Sequence, residues 1–143
     1  MRAQTYRTSS EEETIALGQR LARELPPGAV LLIGNLGAGK TTLAKGLVSG
    51  AGAAPIDEVS SPTFTLIHEY GNSPKVFHID LYRLEHEREV ESLGLDELFD
   101  GNALVLIEWG ERFPRLMPQR RTEIHLRAIS EDVREIAVSY KTE

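Results

Sequence analysis

The sequence contains no cysteine, which removes disulfides, thiolate zinc sites, iron–sulfur clusters and cysteine nucleophiles from consideration. Long apolar runs are missing too. None approaches the ~18 residues of a membrane span, and Met1 to Arg7 lacks the apolar stretch of a signal peptide, so a cytoplasmic protein without membrane contact is expected. Basic charge is scarce: 16 Lys and Arg stand against 22 Asp and Glu, a net charge of −6. A domain built to grip a phosphate backbone through a broad basic face is therefore excluded as the main reading.

What is present describes an ordinary globular chain. Its 143 residues, 41% hydrophobic and 27% charged, suit one domain spanning 1–143 with enough apolar surface for a real core. No repeat, low-complexity segment or linker divides it. Charge is uneven along it: residues 1–50 carry +2, residues 51–100 carry −8 and residues 101–143 carry 0. Most of the acidity lies in or near Glu85 to Asp100. That stretch reads as a solvated helix face, with an acidic docking surface for a basic partner as the functional alternative.

Strands and helices alternate. Residues 2–8 read as a strand, and Ser9 and Ser10, each three residues before a glutamate, form two overlapping capping boxes that open a helix. Leu17, Leu21 and Leu25 mark its buried stripe, and Pro26-Pro27-Gly28 stops it. The apolar run 29–33 has the look of a strand buried on both faces, and a helix over 42–49 ends at Gly50. Residues 65–70 and 75–79 read as a hairpin, 85–98 as a helix broken at Gly94, and 103–107 as a second buried strand. A closing hairpin is expected from 122–129 and 133–140. The pattern predicts an α/β fold with a mixed central sheet flanked by helices.

Between the first buried run and its following helix stands Gly34-Asn35-Leu36-Gly37-Ala38-Gly39-Lys40-Thr41, which fits the phosphate-binding P-loop, G-x-x-x-x-G-K-[ST]. Chance would produce the pattern in about 0.3% of chains of this composition. The context adds more, because a strand must deliver the loop and a helix must begin at its end for backbone N–H groups to converge on an anion. Glycines let the backbone approach phosphate oxygens, Lys40 is a point charge for the β and γ phosphates, and the Thr41 hydroxyl can ligate Mg²⁺ arriving with the nucleotide. Residues Asn35, Leu36, Gly37, Ala38, Gly39, Lys40, Thr41 and Thr42 are thus the expected nucleotide-binding stretch. The base-reading Asn-Lys-x-Asp signature of GTPases is absent, so ATP is the expected nucleotide.

A nucleotide-bound metal still needs a carboxylate at the end of a neighbouring strand. Glu108, after the run ending at Ile107, is favoured as the group nearest metal or attacking water, and Asp80, after Ile79, is the second candidate. Thr63 in Ser60-Ser61-Pro62-Thr63-Phe64 could sense γ-phosphate and metal. Arg83, Arg112 and Arg115 either stabilise a phosphoryl transition state or form surface salt bridges. The four histidines have no compact metal spacing, and only His78 falls near the site. Trp109 reads from the residues alone as packing rather than as a nucleotide stack.

Four stretches together carry a resemblance: GNLGAGKTT (34–42), SPTFTL (61–66), HIDLYRL (78–84) with LGLDELF (93–99), and IEWGER (107–112). In this order and spacing the chain resembles the bacterial TsaE (YjeE) family. The resemblance implies a small Mg²⁺-dependent P-loop ATPase serving the synthesis of threonylcarbamoyladenosine beside the anticodon of tRNA. In that family TsaC makes threonylcarbamoyl-AMP, TsaB and TsaD transfer the group, and TsaE binds the TsaB–TsaD pair and hydrolyses ATP to support turnover. Contact with tRNA would then be indirect, in keeping with the charge. By motif position Lys40 and Thr41 would bind nucleotide and metal, Thr63 would sit in a switch-like loop, Asp80 and Glu108 would serve metal binding and hydrolysis, and Trp109 would lie near the nucleotide. The chain departs from the family pattern at Asn35, where an acidic residue is usual, and at Gly110, where proline is common. A catalytic base at residue 35 is accordingly not expected. Competing readings are a small-molecule kinase whose acceptor is clamped by Arg83, Arg112 and Arg115, and a nucleotide-binding scaffold without catalysis.

Overall fold

The computed structural model describes residues 3–142. Its elements run β1 (Gln4–Thr8), α1 (Glu11–Ala22), β2 (Gly28–Ile33), α2 (Lys40–Gly50), β3 (Ile67–Gly71) and β4 (Lys75–Asp80). There follow α3 (Glu87–Glu91), α4 (Leu95–Phe99), β5 (Leu104–Glu108), β6 (Arg121–Ala128) and β7 (Arg134–Lys141). Short 3-10 turns lie at Ile56–Glu58, Gly110–Arg112 and Pro114–Leu116. All seven strands form one sheet in the order β1-β7-β6-β2-β5-β4-β3. The central four, β6, β2, β5 and β4, are parallel, while β3 and the β7–β1 pair close the two edges antiparallel. This is the mixed α/β sheet that the alternating pattern predicts. No helix among the described residues is long and apolar enough to cross a membrane.

Strand alternation sorts the core into two layers. Val30 and Leu32 of β2, Val76 of β4, and Leu104 and Leu106 of β5 face Leu17, Leu21, Leu43 and Leu47 of α1 and α2. Ala29, Leu31, Ile79, Val105 and Ile107 face the other way, toward Leu84, Val90, Leu95, Phe113 and Met117. The helices of the first layer pack through glycine: a Cβ at Gly46 would lie 2.2 Å from the Ile15 carbonyl oxygen and 2.9 Å from the Gly18 Cα.

Element ends follow local chemistry. Of the two overlapping boxes at α1 only half of the later one forms: Ser10 Oγ accepts from the Glu13 N–H at 3.1 Å, but the Glu13 carboxylate accepts from the Ser9 N–H at 2.8 Å rather than from that of Ser10. The helix stops at Ala22, before the prolines, and Leu25 stays buried on the turn that follows through its N–H to the Leu21 carbonyl, 2.9 Å. Helix α2 begins two residues earlier than its apolar spacing suggests, because Gly39 at φ 101° turns the chain so that Lys40 is already helical. Strand β3 starts at Ile67 rather than 65, since Leu66 closes a turn on the Pro62 carbonyl at 2.6 Å with φ 72°. Gly94, at φ 70°, splits the expected 85–98 helix into α3 and α4. The expectation at Arg2 lies outside the described residues.

Candidate functional site

Register and alternation bring the chemistry to one edge. Asp80 and Glu108 are the last residues of β4 and β5 and sit directly opposite each other, and Leu32 of β2 pairs with Glu108 on its other side. On alternation both carboxylates belong to the face carrying Leu104, Leu106 and Val76, hence to the layer of α2. Helix α2 starts at Lys40 immediately after the loop leaving β2. A cavity of about 400 Å³ opens here, with Gly37, Lys40, Thr41 and Thr42 on one side and Asp80 and Glu108 on another. Leu36, Gly39, Thr63 and Trp109 also line it. The volume falls within the range of small-molecule sites.

Three charged side chains at this edge are buried: Lys40 is 5% exposed, Asp80 3% and Glu108 3%. Lys40 Nζ donates to the Gly34 carbonyl at 2.8 Å and stands 3.6 Å from the centroid of the Trp109 ring. Burial holds the Lys40 ammonium pKa below its ordinary value, and the charges of Glu108, Glu111 and Asp80 offset part of that effect. Asp80 is fixed at both oxygens. The Thr63 hydroxyl donates to Oδ2 at 2.8 Å and the Tyr82 N–H to Oδ1 at 2.9 Å, while Ser61 Oγ lies 2.7 Å from the Thr63 hydroxyl. Glu108 Oε2 lies 2.6 Å from His78 Nε2, and that ring is fully buried.

The loop geometry suits a phosphate chain. Gly37 at φ 80° and Gly39 at φ 101° occupy the left-handed region that favours glycine, and the first-turn N–H groups of α2 have no intrahelical acceptor. The oxygen donors of Thr41, Thr63, Asp80 and Glu108 at the cavity wall are of the hard type that Mg²⁺ takes, alongside phosphate and water. Among the described residues no three His, Asp or Glu side chains converge as a metal site of their own. A magnesium ion carried on phosphates needs only one or two carboxylates, so this donor set fits it.

Not every residue singled out in the sequence reaches the cavity. Asn35 and Ala38 do not line it: Ala38 is buried, and its N–H bonds the Asn35 carbonyl at 3.0 Å to form the loop's own turn. The three arginines are used elsewhere. Arg83 donates to the Phe64 carbonyl at 3.2 Å, Arg112 to the carbonyls of Tyr82 and Leu84 at 2.7 and 3.0 Å, and Arg115 pairs with Glu87 at 3.5 Å. Trp109, at φ 68°, is packed against Tyr82, ring centroids 5.2 Å apart, and lines the cavity with the Lys40 ammonium 3.6 Å from its ring centroid. The acidic 85–100 stretch is mostly exposed. Part of it is structural, since Glu89 accepts the N–H groups of Glu85 and His86 to start α3.

The sequence gives no warning of the far wall. Arg134, the first residue of β7, donates to the Ser130 and Glu131 carbonyls at 2.9 and 3.0 Å and extends to the Gly37 carbonyl at 3.4 Å. It ties the β6–β7 turn to the phosphate loop across 97 positions of sequence. Only its place after the Ser130-Glu131-Asp132 turn is visible locally, and that signals a hairpin rather than a binding wall.

Comparison with known proteins gives one direction. Residues 8–136 match the family model described as threonylcarbamoyl adenosine biosynthesis protein TsaE. Similar curated proteins include the tRNA threonylcarbamoyladenosine biosynthesis protein TsaE of Bacillus subtilis, 43% identical over 95% of this chain and 85% of that one. The protein of the same name from Treponema pallidum is 37% identical over 91% of this chain and 96% of its own. A crystal structure of Bacillus subtilis YdiB superposes with a TM-score of 0.79 at 33% identity, covering 99% of this chain and 87% of that one.

Proposed function

Because this chain belongs to the TsaE family of tRNA threonylcarbamoyladenosine biosynthesis proteins, we propose that it binds and hydrolyses ATP in support of that modification, acting with the TsaB–TsaD pair. The observation that carries the reading is the meeting of Lys40, Asp80 and Glu108, all buried, on one cavity beside a glycine loop with left-handed backbone. The loop's N–H groups and Lys40 would hold the phosphates, and Thr41 and Asp80 would hold Mg²⁺ with Glu108 nearby. The metal, when bound, would supply charge neutralisation for the phosphate chain. Glu108 takes the proton of the water whose oxygen bonds to the γ phosphorus as the bond from that phosphorus to the ADP oxygen breaks, and the low exposure of the three charged groups strengthens their fields on the reacting atoms.

Thr63 supports a coupling between nucleotide and partner. Its hydroxyl is bonded to Asp80, so its loop contacts the metal-binding carboxylate directly, and the next residue, Phe64, is 81% exposed. Nucleotide state read at Thr63 is thereby passed to a surface aromatic that a partner protein covers. The net charge of −6 fits a component that meets proteins holding the tRNA rather than the tRNA itself.

The experiment is ATP hydrolysis and tRNA modification over multiple turnovers by TsaB, TsaC and TsaD, with and without this chain. Glu108→Gln is expected to lower hydrolysis about 100-fold or more while the affinity for ATP is kept. Hydrolysis unchanged by Glu108→Gln, or a modification yield indifferent to the chain, would refute the reading.

A further inference from the structure

Beneath Glu108 lies a histidine that neither the phosphates nor a partner can touch. His78 is fully buried on β4, two residues before Asp80 and on the same face, and its cross-strand neighbour on β5 is Leu106. On the β5 side and along β4 the layer is apolar, with Val76, Leu104 and Leu106 in the cluster packed on α1 and α2, while its cross-strand neighbour on β3 is His68, which bonds Tyr70 and not His78. An imidazole in such surroundings needs its polar atoms satisfied. Only one of them is. Nε2 lies 2.6 Å from Glu108 Oε2, whereas Nδ1 is buried without any partner.

That asymmetry decides the proton's position. A ring with hydrogen on Nδ1 would bury an unpaired N–H and turn a bare Nε2 lone pair toward a carboxylate oxygen. A ring with hydrogen on Nε2 donates to the carboxylate and leaves only a lone pair unmatched, the smaller penalty. From this we infer that His78 is the positioning residue of the site: as the Nε2–H tautomer it ties down Oε2 of Glu108 and so orients the other oxygen, Oε1, toward water in the cavity that Glu108 lines. The inference rests on the reading of Glu108 as the group that handles water. A carboxylate at a strand end would otherwise rotate about its side-chain torsions. Asp80 opposite it is fixed by Thr63 and by the Tyr82 N–H, whereas His78 is the partner that fixes Glu108.

The test uses the full chain with radiolabelled ATP and Mg²⁺, with nucleotide affinity measured separately by displacement of a fluorescent ATP analogue. His78→Leu fills the space without a donor, and His78→Gln keeps an N–H near the Nε2 position. The expected result is single-turnover hydrolysis about 10- to 100-fold slower in His78→Leu, at unchanged ATP affinity, with most of the rate restored by His78→Gln. Wild-type hydrolysis in His78→Leu, or equal losses in the two variants, would overturn the inference in favour of simple packing. A second readout needs no activity: the ring nitrogen NMR shifts of His78 must show hydrogen on Nε2 and none on Nδ1, and the opposite tautomer also refutes it. If Glu108→Gln hydrolyses ATP as fast as wild type, the functional reading falls instead, and the NMR result still decides whether His78 donates to Glu108.

Discussion

On one face of the sheet lie α1 and α2, of 12 and 11 residues; on the other, α3 and α4 have five each and are joined there by the 3-10 turns that follow β5. The first layer is closed by backbone approach at Gly18 and Gly46 and carries the start of the phosphate loop's helix. In the second, carbonyls exposed by short elements are gathered by side chains such as Arg112. Each catalytic candidate bridges the difference. Asp80 and Glu108 project toward the first layer while the chain that follows each of them, 81–84 and 109–117, turns into the second. Under the proposed function the long-helix layer would set where the phosphates sit, and the short-element layer would hold the segments that respond to them. Stability of individual regions scales with such packing, so responsive segments are drawn from the less tightly packed part.

The sharpest way to break this contrast is Gly46→Ala. A methyl group 2.2 Å from the Ile15 carbonyl oxygen cannot be absorbed by a side-chain rotation, so the helices must separate. A loss of about 3 kcal/mol in urea unfolding is expected, with the whole fold affected. If the loss is under about 1 kcal/mol, the first layer is not the rigid one. Arg112→Ala is the matching change in the second layer. It removes two charge-assisted bonds to the Tyr82 and Leu84 carbonyls at 2.7 and 3.0 Å, but the side chain is largely exposed, so a loss of about 1 kcal/mol is expected. Amide exchange should quicken in residues 82–84 and not in α2. Equal acceleration in both would erase the distinction.

How far the sequence discloses this arrangement depends on the range of the interactions. The glycine loop, the Ser10 cap, the break at Gly94 and both hairpins are written in neighbouring residues, and they form as that local chemistry says, except that the turn closed by Leu66 delays β3 to Ile67. Asp80 and Glu108 are also legible, because a carboxylate ending an apolar run has only the sheet's carboxyl edge to occupy. Their pairing is not, since the order β6-β2-β5-β4 is decided by edge-to-edge pairing of strands far apart in sequence. Arg134 escapes for the same reason, joining a turn to Gly37 from 97 residues away. Arg83, Arg112 and Arg115 leave two readings open in the sequence, and Arg115 takes the surface salt bridge, with Glu87 at 3.5 Å. Arginine near an acidic site suggests a phosphate clamp, but in a layer of short helices, unmatched carbonyls compete for the same donors, and they hold Arg83 and Arg112.

The mildest test concerns Glu111, in the 3-10 turn that follows Trp109 and belongs to the second layer. Its Oε1 is buried without a partner, and burial raises the carboxyl pKa above its ordinary value, although Lys40, His125 and Arg112 each pull it down. A raised pKa means that the native state holds the proton more tightly than the unfolded chain. Stability contributed by the protonated acid is then present below the unfolded value and is lost as pH rises through the folded one. Glu111→Gln escapes that loss. Its unfolding free energy should match wild type at acidic pH and exceed it toward neutrality by under about 1 kcal/mol, read from urea melts across the pH range. A Gln variant less stable than wild type at neutral pH would mean that attraction to Lys40 outweighs burial. The second layer would then gain stability from Lys40 of the first, and the two layers could no longer be treated as separately built.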